Sequence, residues 1–270
     1  MSKTVLITGA STGIGKATAR CFLQQGWNVA ATMRTPSKET ELQRSEKCIL
    51  PALDVTEAMT IKNAVNETLQ TFGQIDVLVN NAGYGLSGTF ESMGMAQIRR
   101  QFETNVFGLM AVTKAVLPYF REQGYGHLVN VASMGGRVTF PLYSVYHGTK
   151  WSVDGFSESL QFELRPLNIK VRIVEPGAIK TDFYDRSADF QHDRELTEYN
   201  EMVDQAMAKM NAVGDKGASP ELVAKTIYKA ANDDGWKLRY PVGSDAKSLL
   251  TLRRFISDGL YQAMIRKAVM

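Results

Sequence analysis

The chain has 270 residues, of which 44% are hydrophobic and 22% are charged, and its formal net charge is +3. This balance is typical of a soluble globular protein, and its basic residues are spread along the chain, so nucleic acid is not indicated as a partner. We find no signal-peptide core and no uninterrupted run of about 18 apolar residues, and we therefore expect a cytoplasmic protein without a membrane span. Cys21 and Cys48 lack metal-binding spacing, so we expect reduced packing cysteines and no metal site.

Short aliphatic runs alternate with longer segments of helical pattern along the chain. The strand-like runs cover residues 5–7, 29–31, 77–79, 128–131 and 171–174. Between the first two runs an apolar stripe predicts a helix beginning near Ile14, with Gly26 where its C-terminal cap belongs. Ser219-Pro220-Glu221 predicts another helix start, with the serine as N-cap. The alternation predicts an α/β fold: a single Rossmann-type, doubly wound parallel sheet in three αβα layers.

A glycine-rich segment follows the first strand at once. In Thr8-Gly9-Ala10-Ser11-Thr12-Gly13-Ile14-Gly15-Lys16 the glycines are spaced GxxxGxG at the start of the first helix. Glycine permits a tight turn and close backbone approach to a pyrophosphate, whose charge the free N–H groups of the helix start attract. The alternative is a structural tight turn. We predict a dinucleotide site with contacts from Gly9, Ser11, Thr12, Gly13, Ile14 and Gly15.

The end of the second strand bears on the choice between NAD and NADP. An acid about 20 residues beyond the glycines would bind the ribose 2′-OH of NAD, but the segment Ala31-Thr32-Met33-Arg34 ends in arginine, with Lys38 close behind. A guanidinium pairs well with a 2′-phosphate, whereas the alternative for Arg34 is a solvated loop charge. We therefore predict NADP(H) as the cofactor.

Tyr146 and Lys150 stand four residues apart, and Ser133 stands thirteen residues before Tyr146. On a helix this spacing places the tyrosine and the lysine on one face. A nearby ammonium favours the phenolate and lowers the tyrosine pKa, so the phenol can both give and take a proton. The spacing alone is equally compatible with an ordinary half-exposed helix.

Several motifs in order resemble the short-chain dehydrogenase/reductase family between Thr4 and about Thr181. The motifs are Thr8-Gly9-x-x-x-Gly13-x-Gly15, Asp54-Val55, Asn80-Asn81-Ala82-Gly83, Asn105-Val106-Phe107-Gly108, Ser133, Tyr146-x-x-x-Lys150 and Pro176-Gly177 followed by Thr181. His147 is a mild departure, because the family usually has a small residue at this position.

The resemblance implies a catalytic role for four residues. Ser133 would hydrogen-bond the substrate oxygen, and Tyr146 would be the general acid in reduction and the base in oxidation. Lys150 would hold the nicotinamide ribose and lower the tyrosine pKa, and Asn105 would position a water that links Lys150 to solvent. Further cofactor contacts are implied for Tyr146, Lys150, Asp54, Val55, Asn81, Ala82, Gly83, Pro176, Gly177 and Thr181.

Apolar side chains beside these motifs favour a lipophilic aldehyde or ketone as the substrate. The pocket candidates are Tyr84, Met134, Val138, Phe140, Leu142, Tyr143, Phe183 and Tyr184. Residues 1–270 are expected to form one NADP-binding catalytic domain, with a substrate-binding lid at about 183–215. The alternative for that segment is a surface helix whose Val203, Met207 and Met210 pack on the body.

The resemblance also implies a homo-oligomer, a dimer or a tetramer, built on the helix after Lys150. The stripe of Phe156, Leu160 and Leu164 could serve that contact or could equally be core. A catalytically idle NADP-binding regulator on the same fold is the alternative function, although such a protein is expected to lack the tyrosine, the lysine or the serine, and this chain keeps all three. An extended epimerase or dehydratase is disfavoured because the chain lacks the GxxGxxG spacing.

Overall fold

The structure is a computed structural model that describes residues 2–180, 188–214 and 216–269. In chain order the described strands are β1 (Thr4–Ile7), β2 (Asn28–Ala31), β3 (Cys48–Ile49), β4 (Val77–Asn80), β5 (Gly85–Gly88), β6 (Gly126–Val131), β7 (Ile169–Pro176), β8 (Ala188–Gln191) and β9 (Arg239–Val242). Seven of them form a parallel sheet in the order β3-β2-β1-β4-β6-β7-β9, and β5 pairs in parallel with β8.

Helices cover both faces of the main sheet. They are α1 (Gly13–Gln24), α2 (Ala58–Phe72), α3 (Met95–Phe102), α4 (Gly108–Gln123), α5 (Ser144–Leu164), α6 (Thr197–Gly214), α7 (Pro220–Ala231), α8 (Ser244–Phe255) and α9 (Asp258–Val269). Side chains of α1 and α7 pack with Val5 and Ile7, while those of α2, α4 and α5 pack with Leu6 on the opposite face. The predicted doubly wound sheet in three layers is confirmed.

Burial on both faces explains why the strands are almost continuously apolar. Val5, Leu6 and Ile7 alternate between the two layers and are all 0% exposed. Each such side chain contributes about 1.5–3 kcal/mol relative to an exposed one. The pattern of short apolar runs therefore identified β1, β2, β4, β6 and β7 correctly.

The order of the strands places a crevice at the carboxyl ends of β1 and β4. β1 lies between β2 and β4, so the chain builds one half of the sheet outward from β1 and the other half outward from β4. Open α/β sheets bind ligands at such a reversal of strand order. The glycine-rich segment follows β1 and Asn81 follows β4, which brings both to this crevice.

Some elements were not predicted, because their sequences do not look like strands. β5 has the sequence Gly-Leu-Ser-Gly, and Gly88 adopts a φ of 124°, which suits glycine. β9 contains Pro241, which is tolerated because β9 is an edge strand that needs no ladder donor on its outer side. The predicted end of α1 and the predicted start of α7 agree with the structure. Gly26 has a φ of 78° just after α1, and Ser219 occupies the N-cap of α7, although its side chain makes no capping hydrogen bond.

The stripe on α5 belongs to the core. Leu160 and Leu164 are 8% and 6% exposed, and Phe156 packs beside them against the sheet. Other aromatic side chains of this helix face outward, with Trp151 48% and Phe162 70% exposed. Of the two interpretations of the stripe, the structure supports packing within the chain.

The predicted lid segment is partly described. Residues 181–187 and 215 lie outside the described residues, and they include Thr181, Phe183 and Tyr184. The described part contains β8 and α6, where Val203 is buried and Met207 and Met210 are half-buried in a cluster with Leu142 and Tyr143. This packing agrees with the surface-helix alternative, and movement of the segment as a lid stays a prediction.

Candidate cofactor and active site

The glycine-rich segment forms a turn in which two of the glycines have no room for a side chain. Gly9 and Gly13 have φ values of 66° and 52°. A Cβ at Gly9 would lie 2.8 Å from the Cα of Ala82, and a Cβ at Gly15 would clash with the carbonyl of Gly9. The turn therefore needs glycine, and its backbone is exposed to the cavity at the carboxyl end of β1.

Asn81 holds this turn from the neighbouring strand. Its side-chain amide donates to the carbonyls of Thr8 and Gly9, both at 3.0 Å. The hydroxyl of Thr8 accepts the backbone N–H groups of Asn81 at 2.9 Å and Ala82 at 3.0 Å. The sequence predicted a cofactor contact for Asn81, and the structure adds that its amide fixes the glycine-rich turn.

The start of α1 is suited to an anion. Thr12 is the N-cap residue without a side-chain capping bond, and the first turn carries no acidic residue. The first N–H groups of the helix and the positive end of its dipole therefore face a region without a competing carboxylate. A diphosphate fits this cradle, as the glycines that a Cβ would fill also indicate.

Arg34 lies at the far end of the same cavity. It is exposed at the cavity wall, directly after the buried Met33, and no acid stands at the end of β2. Lys38 is also exposed. Lys16 is less available to bind an anion, because its ammonium already pairs with Glu39 at 3.1 Å and with Glu41 at 2.9 Å. Of these three cations, Arg34 is the one that lines the cavity.

Ser133, Tyr146 and Lys150 line the same cavity. Ser133 follows β6, and its Oγ accepts the N–H of Gly135 at 3.0 Å. Tyr146 and Lys150 lie one turn apart on α5, with the Lys150 Nζ 5.8 Å from the centre of the tyrosine ring. The same ammonium donates to the carbonyl of Val131 at 3.0 Å, which ties α5 to the end of β6.

Burial lowers the pKa of Lys150 to about 8. The lysine is half-buried along the cavity wall, where desolvation penalises its charged form. It nevertheless remains a cation at neutral pH. A positive charge beside Tyr146 favours the phenolate, which is the electrostatic condition for a phenol that exchanges a proton.

Asn105 makes hydrogen bonds to Tyr84 and Thr149 next to the cavity. It lies in a π-helical turn, Glu103–Phe107, of the kind often found at functional sites. Its amide donates to the carbonyl of Tyr84 at 2.9 Å and to the Thr149 hydroxyl at 3.2 Å, and its oxygen accepts the Tyr84 N–H at 3.1 Å. Asn105 is 2% exposed and does not line the cavity. Its expected water contact stays a prediction.

His147 is a residue whose importance the sequence did not reveal. The imidazole is 5% exposed, its Nδ1 lies 2.9 Å from the carbonyl of Gly135, and its Nε2 accepts the N–H of Phe140 at 2.9 Å. This pair of contacts fixes the neutral tautomer with the proton on Nδ1, and burial lowers the pKa of His147 to about 4. The side chain therefore clamps the loop that follows Ser133.

A single cavity of about 1150 Å³ connects these groups. Of the predicted site residues that the structure describes, only Gly15 and Asn105 do not line it. Tyr84, Met134, Phe140 and Tyr143 line it as predicted, whereas Val138 and Leu142 are buried elsewhere. Further lining residues come from the C-terminal third: Lys209, Met210 and Val213 lie in the predicted lid segment, and Asp245, Leu249, Met264, Ile265 and Ala268 lie on α8 and α9. They belong to amphipathic helices without a motif.

Two further findings limit the kinds of site present. Among residues 2–180, 188–214 and 216–269, no group of three or more His, Cys, Asp or Glu could hold a metal ion. In the same ranges, no helix is both long and apolar enough to cross a membrane.

The sequence relatives are oxidoreductases. The family model described as short chain dehydrogenase matches residues 3–192. An uncharacterized oxidoreductase of Schizosaccharomyces pombe is 37% identical over 235 residues, which cover 87% of this chain and 98% of the relative. The 3-ketodihydrosphingosine reductase of Bacteroides thetaiotaomicron is 33% identical over 267 residues, which cover 97% of this chain and 96% of the reductase.

Solved structures agree with this assignment. A short-chain dehydrogenase from Streptomyces avermitilis superposes with a TM-score of 0.81 at 33% identity, over 98% of this chain and 95% of the other. ElxO with NADP bound superposes with a TM-score of 0.76 at 29% identity, over 92% of this chain and 100% of the other. The fold, the ordered motifs and these relatives together show that the chain belongs to the short-chain dehydrogenase family of oxidoreductases.

Proposed function

We propose that the protein interconverts a lipophilic ketone or aldehyde and the corresponding alcohol with NADP(H), using Tyr146 as the general acid and base. The observation that carries this proposal is the convergence of Ser133, Tyr146 and Lys150 on one cavity, which also contains a phosphate cradle and apolar walls. We further propose that the chain acts as one domain, because the same sheet supports both ends of the cavity.

The cofactor would bind along the carboxyl edge of the sheet. The turn around Gly9 and the start of α1 would receive the diphosphate, and Arg34 would pair with the 2′-phosphate. Asp54 and Val55 would flank the adenine, while Pro176 and Gly177 would hold the nicotinamide end. All of these residues line the cavity. The NADP-bound structural neighbour supports the choice of cofactor.

The protein supplies orientation and a proton. Bound NADPH would provide the hydride, which joins the carbonyl carbon as the C=O π bond breaks. Tyr146 donates its hydroxyl proton to the carbonyl oxygen, so an alcohol forms and a phenolate remains. Ser133 hydrogen-bonds the same oxygen. The Lys150 ammonium stabilises the phenolate until a proton returns from solvent, and oxidation follows the same steps in reverse.

The walls of the substrate end favour a lipophilic compound. Met134, Phe140 and Tyr143 line the cavity together with apolar side chains of α6, α8 and α9. A few polar groups lie among them, including Arg100, which pairs with Asp189 at 2.7 Å. A mostly apolar pocket with isolated polar groups is typical of sites for small lipophilic ligands. A relative named as a reductase of a keto compound supports the reaction class.

The proposal is tested by following NADPH oxidation against carbonyl compounds of graded chain length and polarity. We expect kcat/KM to rise with apolar chain length and to be higher with NADPH than with NADH. A better rate with NADH would refute the assignment of Arg34, and an absence of turnover with every compound would favour the idle regulator.

A further inference from the structure

Asp245 is a charged group at the candidate site to which the sequence assigned no role. It lies in the first turn of α8, is half-buried, and lines the cavity. Its Oδ2 accepts the backbone N–H of Ala178 at 2.7 Å. The carboxylate is therefore held against the segment that follows β7, where we place the nicotinamide end of the cofactor.

Two glycines make room for this carboxylate. A Cβ at Gly177 would clash with both carboxylate oxygens, and a Cβ at Gly243 would clash with Oδ1. Gly243 also has a φ of 96°, and the N–H of Gly177 donates to the carbonyl of Val242 at 2.9 Å. The Asp245 carboxylate therefore lies directly against the backbone of Gly177 and Gly243.

The sheet brings Asp245 to the same edge as the catalytic candidates. β7 lies beside β6, and the N–H of Ala132 donates to the carbonyl of Val174 at 2.9 Å. Lys150 is anchored to the carbonyl of Val131 at the end of β6. Asp245, Tyr146 and Lys150 line one cavity, and the Asp245 carboxylate is held beside the segment after β7, where we propose that the nicotinamide end would bind.

The charge of Asp245 is not neutralised by a neighbouring side chain. Within the described ranges no Lys or Arg nitrogen pairs with this carboxylate, whereas Asp189, another acid of the cavity, pairs with Arg100. Asp54 is the third acid at the wall and lies at the adenine end. Of these three acids, Asp245 is thus the one held against the segment after β7.

We infer that the Asp245 carboxylate makes the site prefer the oxidised cofactor, an inference that rests on the proposed function. The nicotinamide ring is cationic when oxidised and neutral when reduced, so a nearby carboxylate stabilises the oxidised form selectively. The hydrogen bond that the carboxylate accepts from the Ala178 N–H holds it beside the segment after β7.

The test is direct binding of NADP⁺ and of NADPH to the full chain, without substrate. Asp245→Asn keeps an oxygen for the Ala178 N–H and removes the charge, and Asp245→Ser provides a second neutral variant in case one of them does not fold. Glu221→Gln is the matched control, because Glu221 is also an acid in the first turn of a helix but lies outside the cavity. Calorimetry gives both dissociation constants for each protein.

We expect the neutral variants to bind NADP⁺ about fivefold more weakly, which is the effect of one screened charge at close range, with NADPH affinity unchanged. Glu221→Gln should leave both affinities unchanged. A ratio of the two affinities equal to that of the wild type would overturn the inference, including the case in which both affinities fall together, as a merely structural role predicts. Failure of the wild type to bind either nucleotide would instead refute the proposed function.

Discussion

Acid is expected to destabilise the protein through the buried imidazole of His147. Burial lowers its pKa from 6.5 to about 4, whereas the unfolded chain takes up the proton near the ordinary value. The unfolded state therefore binds more protons between these two values, and stability rises with pH across this window. As the pH falls from about 6.5 through about 4, the shift removes about 3 kcal/mol of unfolding free energy.

Urea denaturation at a series of pH values measures this loss. The variant His147→Gln should be less stable than the wild type at pH 7, because the contacts to Gly135 and Phe140 are lost, but its stability should fall less steeply on acidification. His127→Gln is a useful comparison: burial also lowers the pKa of His127 to about 4, but this residue does not line the cavity. Both variants should show a shallower pH dependence, and only His147→Gln should impair turnover. Identical pH dependence in His147→Gln and the wild type would refute the reasoning.

Two further variants test the cofactor end. Arg34→Ser should weaken NADPH binding by about 10–100-fold and leave NADH binding unchanged, because a charge-assisted hydrogen bond is lost. Arg121→Ser is the control: Arg121 is an exposed arginine at the end of α4, and its replacement should leave both affinities unchanged. Equal effects of Arg34→Ser on both nucleotides in a binding titration would contradict the assignment. Gly15→Ala should lose about 1–3 kcal/mol of stability in urea denaturation and most of its cofactor affinity, because its Cβ would meet Gly9 and Asn81. Gly155→Ala on α5, where nothing lies within 4 Å of the added Cβ, should instead leave stability unchanged or raise it. Similar losses of stability in both variants would contradict the claim that the turn needs glycine at position 15.

The sequence predicted those parts of the site whose residues are close together in the chain, and it missed those that depend on distant residues. Local patterns revealed the turn from Gly9 to Gly15 and the helical pair of Tyr146 and Lys150, because each depends on residues close in the chain. Asp245 meets Ala178 across 67 positions, and only the pairing of β7 with β9 brings them together. No local pattern indicates such a contact.

His147 illustrates a different limit. It stands inside a recognised motif, yet its role depends on the path of the loop from Gly135 to Phe140, which returns both backbone partners to one imidazole. The β5–β8 pairing was also missed, because β5 contains two glycines and resembles a turn. The cavity-lining residues of α8 and α9 were not predicted, because the apolar face of an amphipathic helix usually packs on a core. Their contact with the cavity depends on the tertiary fold.

The central claim is that Tyr146 exchanges the proton with the substrate. Tyr146→Phe removes that hydroxyl and preserves the ring. With the best substrate of the carbonyl panel, kcat should fall by about 10²–10⁴-fold, while the dissociation constant for NADPH stays close to that of the wild type. Turnover by Tyr146→Phe at a rate close to the wild type would contradict the mechanism.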